Sequence, residues 1–135
     1  MLIHNEVRNE IVTLIKNNIP EIGNVYNGRA FFTSLKQQLP AISVFLDDAE
    51  CDFKVMGESE WQAELNISIF LPYSEGEPNI DRIAEKVNSL ITFTGYRHIQ
   101  FVRGIQYRYG YDEDNASWMN GTLSYLIEYG RAPIK

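Results

Sequence analysis

Ser59-Glu60-Trp61-Gln62-Ala63-Glu64-Leu65-Asn66-Ile67-Ser68-Ile69-Phe70-Leu71-Pro72 decides the fold class. Trp61, Ala63, Leu65, Ile67, Ile69 and Leu71 alternate with Gln62, Glu64, Asn66 and Ser68. Successive side chains of a strand point to opposite faces, so this period of two gathers the apolar set on one side. The stretch reads as a core-facing strand and not as a catalytic loop.

Further strands flank it. Ile42 to Leu46 is a nearly continuous apolar run, the pattern of a strand buried on both faces. Ala49 to Val55 follows Asp47-Asp48, which reads as a turn after which the chain pairs back. Val25-Tyr26 and Ala30 to Phe32 flank Asn27-Gly28, a pair suited to a tight hairpin because both residues tolerate positive φ. Near the C-terminus, Ile105, Tyr107, Tyr109 and Tyr111 share one face of a strand, and Leu123, Tyr125, Ile127 and Tyr129 share one face of another. Two segments change period. Ile3, Val7, Ile11, Leu14 and Ile15 recur at steps of three and four and stop at Asn17-Asn18 before Pro20. Ile80, Ile83, Ala84, Val87, Leu90 and Ile91 do the same between Pro78-Asn79 and Gly95. Two polar connections remain, Tyr73 to Asn79 and Asp112 to Asn120, and partner contacts concentrate on such loops. The predicted architecture is α+β: a single domain over residues 1–135, with a mostly antiparallel mixed sheet and two amphipathic helices packed on one of its faces. Eight tyrosines and seven phenylalanines exceed what a sheet covered on one side can hide, which points to a surface buried on association.

Composition excludes several functions. Eighteen acidic against 12 basic residues give a formal charge of −6 and a pI of about 4.9, unlike a surface built to neutralise phosphates. Tight DNA binding is not expected. Cys51 is alone, so an intramolecular disulfide cannot form. No run of ~18 apolar residues and no basic, then apolar N-terminus occurs, so the expected location is the cytosol, with no membrane contact.

Chemistry has few footholds. Asp112-Glu113-Asp114-Asn115 is the one carboxylate cluster suited to a hard cation, but Ala116 and Leu123 fall where a calcium loop needs oxygen ligands. Asp112 and Asp114 are therefore weak metal candidates, and a solvated turn is the plainer reading. His4 and His98 have no ligand spacing to each other or to Cys51, and no nucleophile elbow or phosphate-binding glycine loop is present. Arg97, Arg103 and Arg108 interleave with Tyr96, Phe101, Tyr107 and Tyr109, as a platform for single strands would, yet net acidity and strand periodicity favour solvent-facing arginines. Trp61 reads as a core anchor at the start of its strand, whereas Trp118, beside the acidic loop, fits core and interface equally. No enzyme is expected; the rival reading is a metal-dependent hydrolase using Asp112 and Asp114.

The ordered set Asn27-Gly28-Arg29-Ala30, Leu39-Pro40-Ala41-Ile42-Ser43-Val44-Phe45-Leu46, Ala49-Glu50, Trp61 to Leu65, Phe70-Leu71-Pro72, Tyr109 to Asp114, Trp118 and Leu123 to Tyr129 resembles the lambda-like phage minor tail protein U family. That resemblance implies a virion protein, assembled in the host cytoplasm and placed at the head-proximal end of the tail. There it would terminate the tail as a six-membered homo-oligomeric ring. The implied partners are further copies of itself, the tail tube protein and a head-completion or connector protein, with DNA passing through without tight binding. No cofactor is implied, although Mg²⁺ assisting assembly is an open expectation. A head-tail joining ring is the nearest alternative. Interface candidates are Arg29, Trp61, Tyr107, Tyr109, Asp112, Asp114 and Trp118. Asp47, Asp48, Glu58, Glu60 and the Asp112 to Asp114 loop are expected at the pore or the ring interface.

Overall fold

A computed structural model describes residues 2–55 and 58–130, with side chains at all of these except 36, 52–59 and 93. The helical stripes form as their spacing dictates. Helix α1 spans Leu2–Asn18 and buries Ile3, Val7, Ile11, Val12 and Ile15. Helix α3 spans Gly76–Phe93 and buries Ile80, Ile83, Ala84, Val87 and Ile91. A single turn, α2, lies at Leu35–Gln38. The Tyr73 to Asn79 stretch, read as a loop, is taken up by a 3-10 turn at Tyr73–Glu75 and the first turn of α3. Among the described residues no helix is long and apolar enough to cross a membrane.

Five strands, β1 (Asn24–Asn27), β2 (Ala41–Val55), β3 (Glu58–Pro72), β4 (Ile99–Tyr111) and β5 (Trp118–Gly130), form one sheet in the order β1-β2-β3-β5-β4. All neighbours are antiparallel except β1 and β2. The register places Ile42 opposite Ile69, Val44 opposite Ile67, Ile67 opposite Leu123 and Leu65 opposite Tyr125, so the alternating set of β3 lies at the centre of the helix-covered face. These residues and the helix stripes form one continuous core. The fold class is thus the expected α+β sheet with both long helices on it.

Two strand expectations are corrected. Asn27-Gly28 does not turn a hairpin: β1 pairs parallel to β2, and only Gly28 bridges antiparallel to Val44. Gly28, at φ +106°, sends the chain off the sheet edge, and Phe32 packs on Phe70 with ring centroids 5.0 Å apart. Nor is Asp47-Asp48 a turn. Pairing with β3 runs through Asp47 opposite Glu64 and resumes at Glu50 opposite Gln62. Asp48 takes up the extra length at φ 51°, a left-handed conformation that aspartate tolerates better than branched residues. One 15-residue strand results.

The face away from the helices also holds buried residues. Ser43, Asn66, Ser68, Thr122 and Ser124 are buried there, Ser43 within the Ile42 to Leu46 run read as covered on both faces. Asn66, Ser68, Thr122 and Ser124 bond across strands. Ser68 Oγ lies 2.9 Å from Thr122 Oγ1, Asn120 donates to Ser68 Oγ at 2.9 Å, and Ser124 donates to Asn66 Oδ1 at 2.6 Å. Asn66 in turn donates to Asp47 at 3.1 Å. Buried polar groups persist only when bonded in this way.

Candidate functional site

Strand β4 is last in the sheet order, so one of its long sides has no neighbouring strand among the described residues. Such an edge presents free backbone donors and acceptors to any further strand. Phe101, Ile105, Tyr109 and Tyr111 are exposed on it, and Tyr73, also exposed, sits edge-on to Tyr111 at 6.4 Å. Apart from Phe31, the exposed aromatic residues among those described therefore gather at this rim. A cleft of ≈ 560 Å³ runs between β4 and α3, lined by Asp81, Asn88, Tyr107, Tyr109 and Tyr125 among others. Tyr107 and Tyr109 both donate to Asp81 Oδ1, at 2.8 and 2.5 Å, and Tyr125 donates to Asn88 at 2.7 Å. Burial, and then the Asp81 carboxylate, push the Tyr107 phenol well above its usual range. The hydrogen bond to Asp81 raises Tyr109 as well. These phenols stay protonated and serve as donors that brace β4 against α3.

The other expected site residues are distributed around the sheet. Trp61 is half-buried on the helix face, edge-on to His4 at 4.7 Å, and His4 Nδ1 lies 2.8 Å from the hydroxyl of fully buried Tyr129. It closes the core beneath the start of α1. Arg29 stacks over Phe45, 4.4 Å from the ring centroid, and donates to Asp47 at 2.6 Å. Trp118 opens β5 on the opposite face, edge-on to Phe70 at 5.4 Å. The structure brings Tyr107 to Tyr109, and Trp118 to the Asp112 loop through the Asp112 N–H donating to the Trp118 carbonyl at 2.9 Å. Arg29 and Trp61 stand apart from both groups.

Asp112 turns its carboxylate inward. It accepts from the N–H groups of Asp114, Asn115 and Ser117 and, at 2.5 Å, from the Ser117 hydroxyl. These donors, the Ser117 hydroxyl foremost, hold its pKa below the usual carboxylate value. Both oxygens thus close the loop. Among the described residues no three His, Cys, Asp or Glu side chains converge as a metal site.

A second rim is found at the other side of the sheet. Strand β1 covers β2 only over Ala41 to Val44, so beyond the Gly28 bridge the outer side of Phe45 to Val55 has no partner strand within the described chain. Asp48, Glu50 and Glu60 are exposed there; the side chain of Glu58 lies outside the described residues. Strand β4, by contrast, carries Arg103 and Arg108 and no acidic residue. Both arginines are exposed. Sequence alone gave their charge but not their place, because nothing local says which strands end up at the two edges.

Comparison with known proteins assigns this arrangement a lineage. The sequence profile of the family described as phage minor tail protein U matches residues 2–129. The chain is 30% identical over 95 residues to the tail tube terminator protein of Escherichia phage lambda, covering 67% of this chain and 71% of that protein. It is 26% identical over 129 residues to the tail tube terminator protein of Escherichia phage N15, covering 93% and 97% respectively. Among solved structures, a chain from the virion of a native gene transfer agent particle superimposes with a TM-score of 0.64 at 11% identity, over 92% of this chain and 94% of that one. That last likeness is one of fold.

Proposed function

Since the chain belongs to the phage minor tail protein U family, we propose that it terminates the phage tail: it assembles as a ring on the end of the tail tube, stops further tube subunits from adding, and forms the surface to which the head attaches. Its role is structural and its place is the virion tail. The observation that carries the reading is the near end-to-end match, over 93% of this chain, to a protein known as a tail tube terminator. Action is by binding and blocking, not turnover. A ring of identical subunits needs a heterologous contact, in which two different patches of each copy meet and rotation closes the set. Two different open rims on one sheet supply the material for it.

The partners in this reading are further copies of the chain, six in a ring, the tail tube protein and a head-side connector. Net acidity suits a ring through which DNA passes without being held. Phage lacking the protein provide the test. Tails of uncontrolled, excessive length are expected; tails of normal length that fail to join heads would instead identify a head-tail joining component. Mass measured across concentration, with and without Mg²⁺, together with negative-stain images, tests the ring and any cation requirement separately.

A further inference from the structure

The two rims differ in charge, and the difference selects how copies meet. Strand β4 carries Arg103 and Arg108 with no acid between Ile99 and Tyr111. From Phe45 to Val55, β2 carries Asp47, Asp48, Glu50 and Asp52 against Lys54, and Asp47 is already paired with Arg29. Glu60 and Glu64, opposite Asp52 and Asp47 on β3, extend the acidic side. The rims lie at opposite sides of the sheet. Among the described residues Arg103, Arg108, Asp48 and Glu50 are exposed and have no partner within the chain.

We propose that the open side of β4 in one copy pairs with the open side of β2, beyond Val44, in the next copy, joining the sheets of a second and further copies of this chain head to tail. The contact rests on the ring reading above and specifies it. Neither rim is paired with another strand among the described residues, and Phe101 and Ile105, exposed in the lone chain, sit along the joining edge. Charge decides between the possible pairings. Two β4 rims together would oppose arginine to arginine, and two β2 rims would oppose carboxylate to carboxylate. Only the mixed contact matches attraction on both sides, and like-charge exclusion is an effective way to reject a wrong partner. A symmetric dimer through either rim is thereby disfavoured. A rotation about an axis along the strands preserves their direction. Because β2 runs parallel to β5, and β4 antiparallel to both, the new pairing is antiparallel.

Two charge-reversed chains test this. One carries Arg103→Glu and Arg108→Glu, the other Glu50→Lys and Asp52→Lys. Each reversal sets like charges against each other in its own homotypic contact, and each alone is expected to weaken self-association by about tenfold or more with thermal stability kept. Mixed in equal amounts, the acidic β4 of one meets the basic β2 of the other, and assembly to the mass of the wild-type ring is expected to return. In wild-type rings, amides of β4 that do not bond to β5 are expected to gain hydrogen-exchange protection relative to the monomer. Wild-type rings that survive both reversals, mixtures of folded variants that stay monomeric, or β4 amides that gain no protection would each overturn the contact and leave the ring reading standing. A wild-type chain that stays monomeric at every concentration and at tube ends would sink both.

Discussion

Gly121 lies where α3 packs tightly on β5. A Cβ built there would lie 2.5 Å from Ile80 Cγ2 and 2.8 Å from the Tyr107 hydroxyl. Gly121→Ala is therefore expected to force α3 away from β5 and cost about 1–3 kcal/mol, read from the midpoint of urea unfolding. His4 offers a pH test. Burial foremost, and the positive charge of Arg8 as well, lower its pKa in the fold from 6.5. The unfolded chain then binds more protons, so this contribution is complete above pH 6.5 and is lost as pH falls through the lowered folded value. Replacing His4 by Phe should flatten that part of the stability profile between about pH 7 and pH 5, as thermal melts would show. Asp112 behaves oppositely in charge but alike in direction. Its carboxylate is favoured by four donors in the fold, so its help is present above the unfolded value of 3.8 and fades on further acidification. Asp112→Ala should lower the melting temperature at neutral pH and make no difference in strong acid. The role of Gly121 was not legible in the sequence, because it depends on Ile80 and Tyr107, which only the folded topology brings close.

Elements were legible where their periodicity was reinforced by tertiary packing. Both long helices lie on the stripes that the sequence shows, and the β3 alternation faces the core throughout. Ile67, fully buried at the centre of that face, should cost about 2–5 kcal/mol on substitution by Ala. Asp47-Asp48 misled because a paired turn signal and a bulge use the same residue type: both want a position that accepts positive φ. A β-branched substitution separates the two readings. Asp48→Val should destabilise by about 1–2 kcal/mol in an unfolding titration, the penalty of a left-handed branched residue, whereas an ordinary strand position would welcome valine. Asn27-Gly28 misled for a different reason. Gly28 does take a positive φ but Asn27 does not, and Phe32 finds Phe70 across the sheet, a contact that lies outside any window of neighbouring residues. The polar residues of the far face escaped for the same cause, since Asn66 and Ser124 are 58 positions apart and bond only because β3 lies beside β5.

At the scale of the whole molecule, the acidic net charge was visible in the composition but its division between two rims was not. Strand order made it so, by sending the arginines of β4 to one side and the carboxylates of β2 to the other. Exposed charges of this kind are screened by salt, so assembly of the purified chain should weaken as ionic strength rises from about 0.05 to 0.5 M, as sedimentation would report. Insensitivity to salt would mean that apolar contact alone drives it.

Placing unlike borders at opposite sides of one sheet has a geometric outcome. A growing row always ends in one unsatisfied border of each kind, and only curvature that brings the last copy back to the first removes both. In the proposed ring, the number of copies is set by the angle through which each sheet carries its neighbour. In that ring, substitutions that alter strand coiling away from the joining edges, in β3 or β5, would change how many copies complete the circle without touching the chemistry by which they adhere.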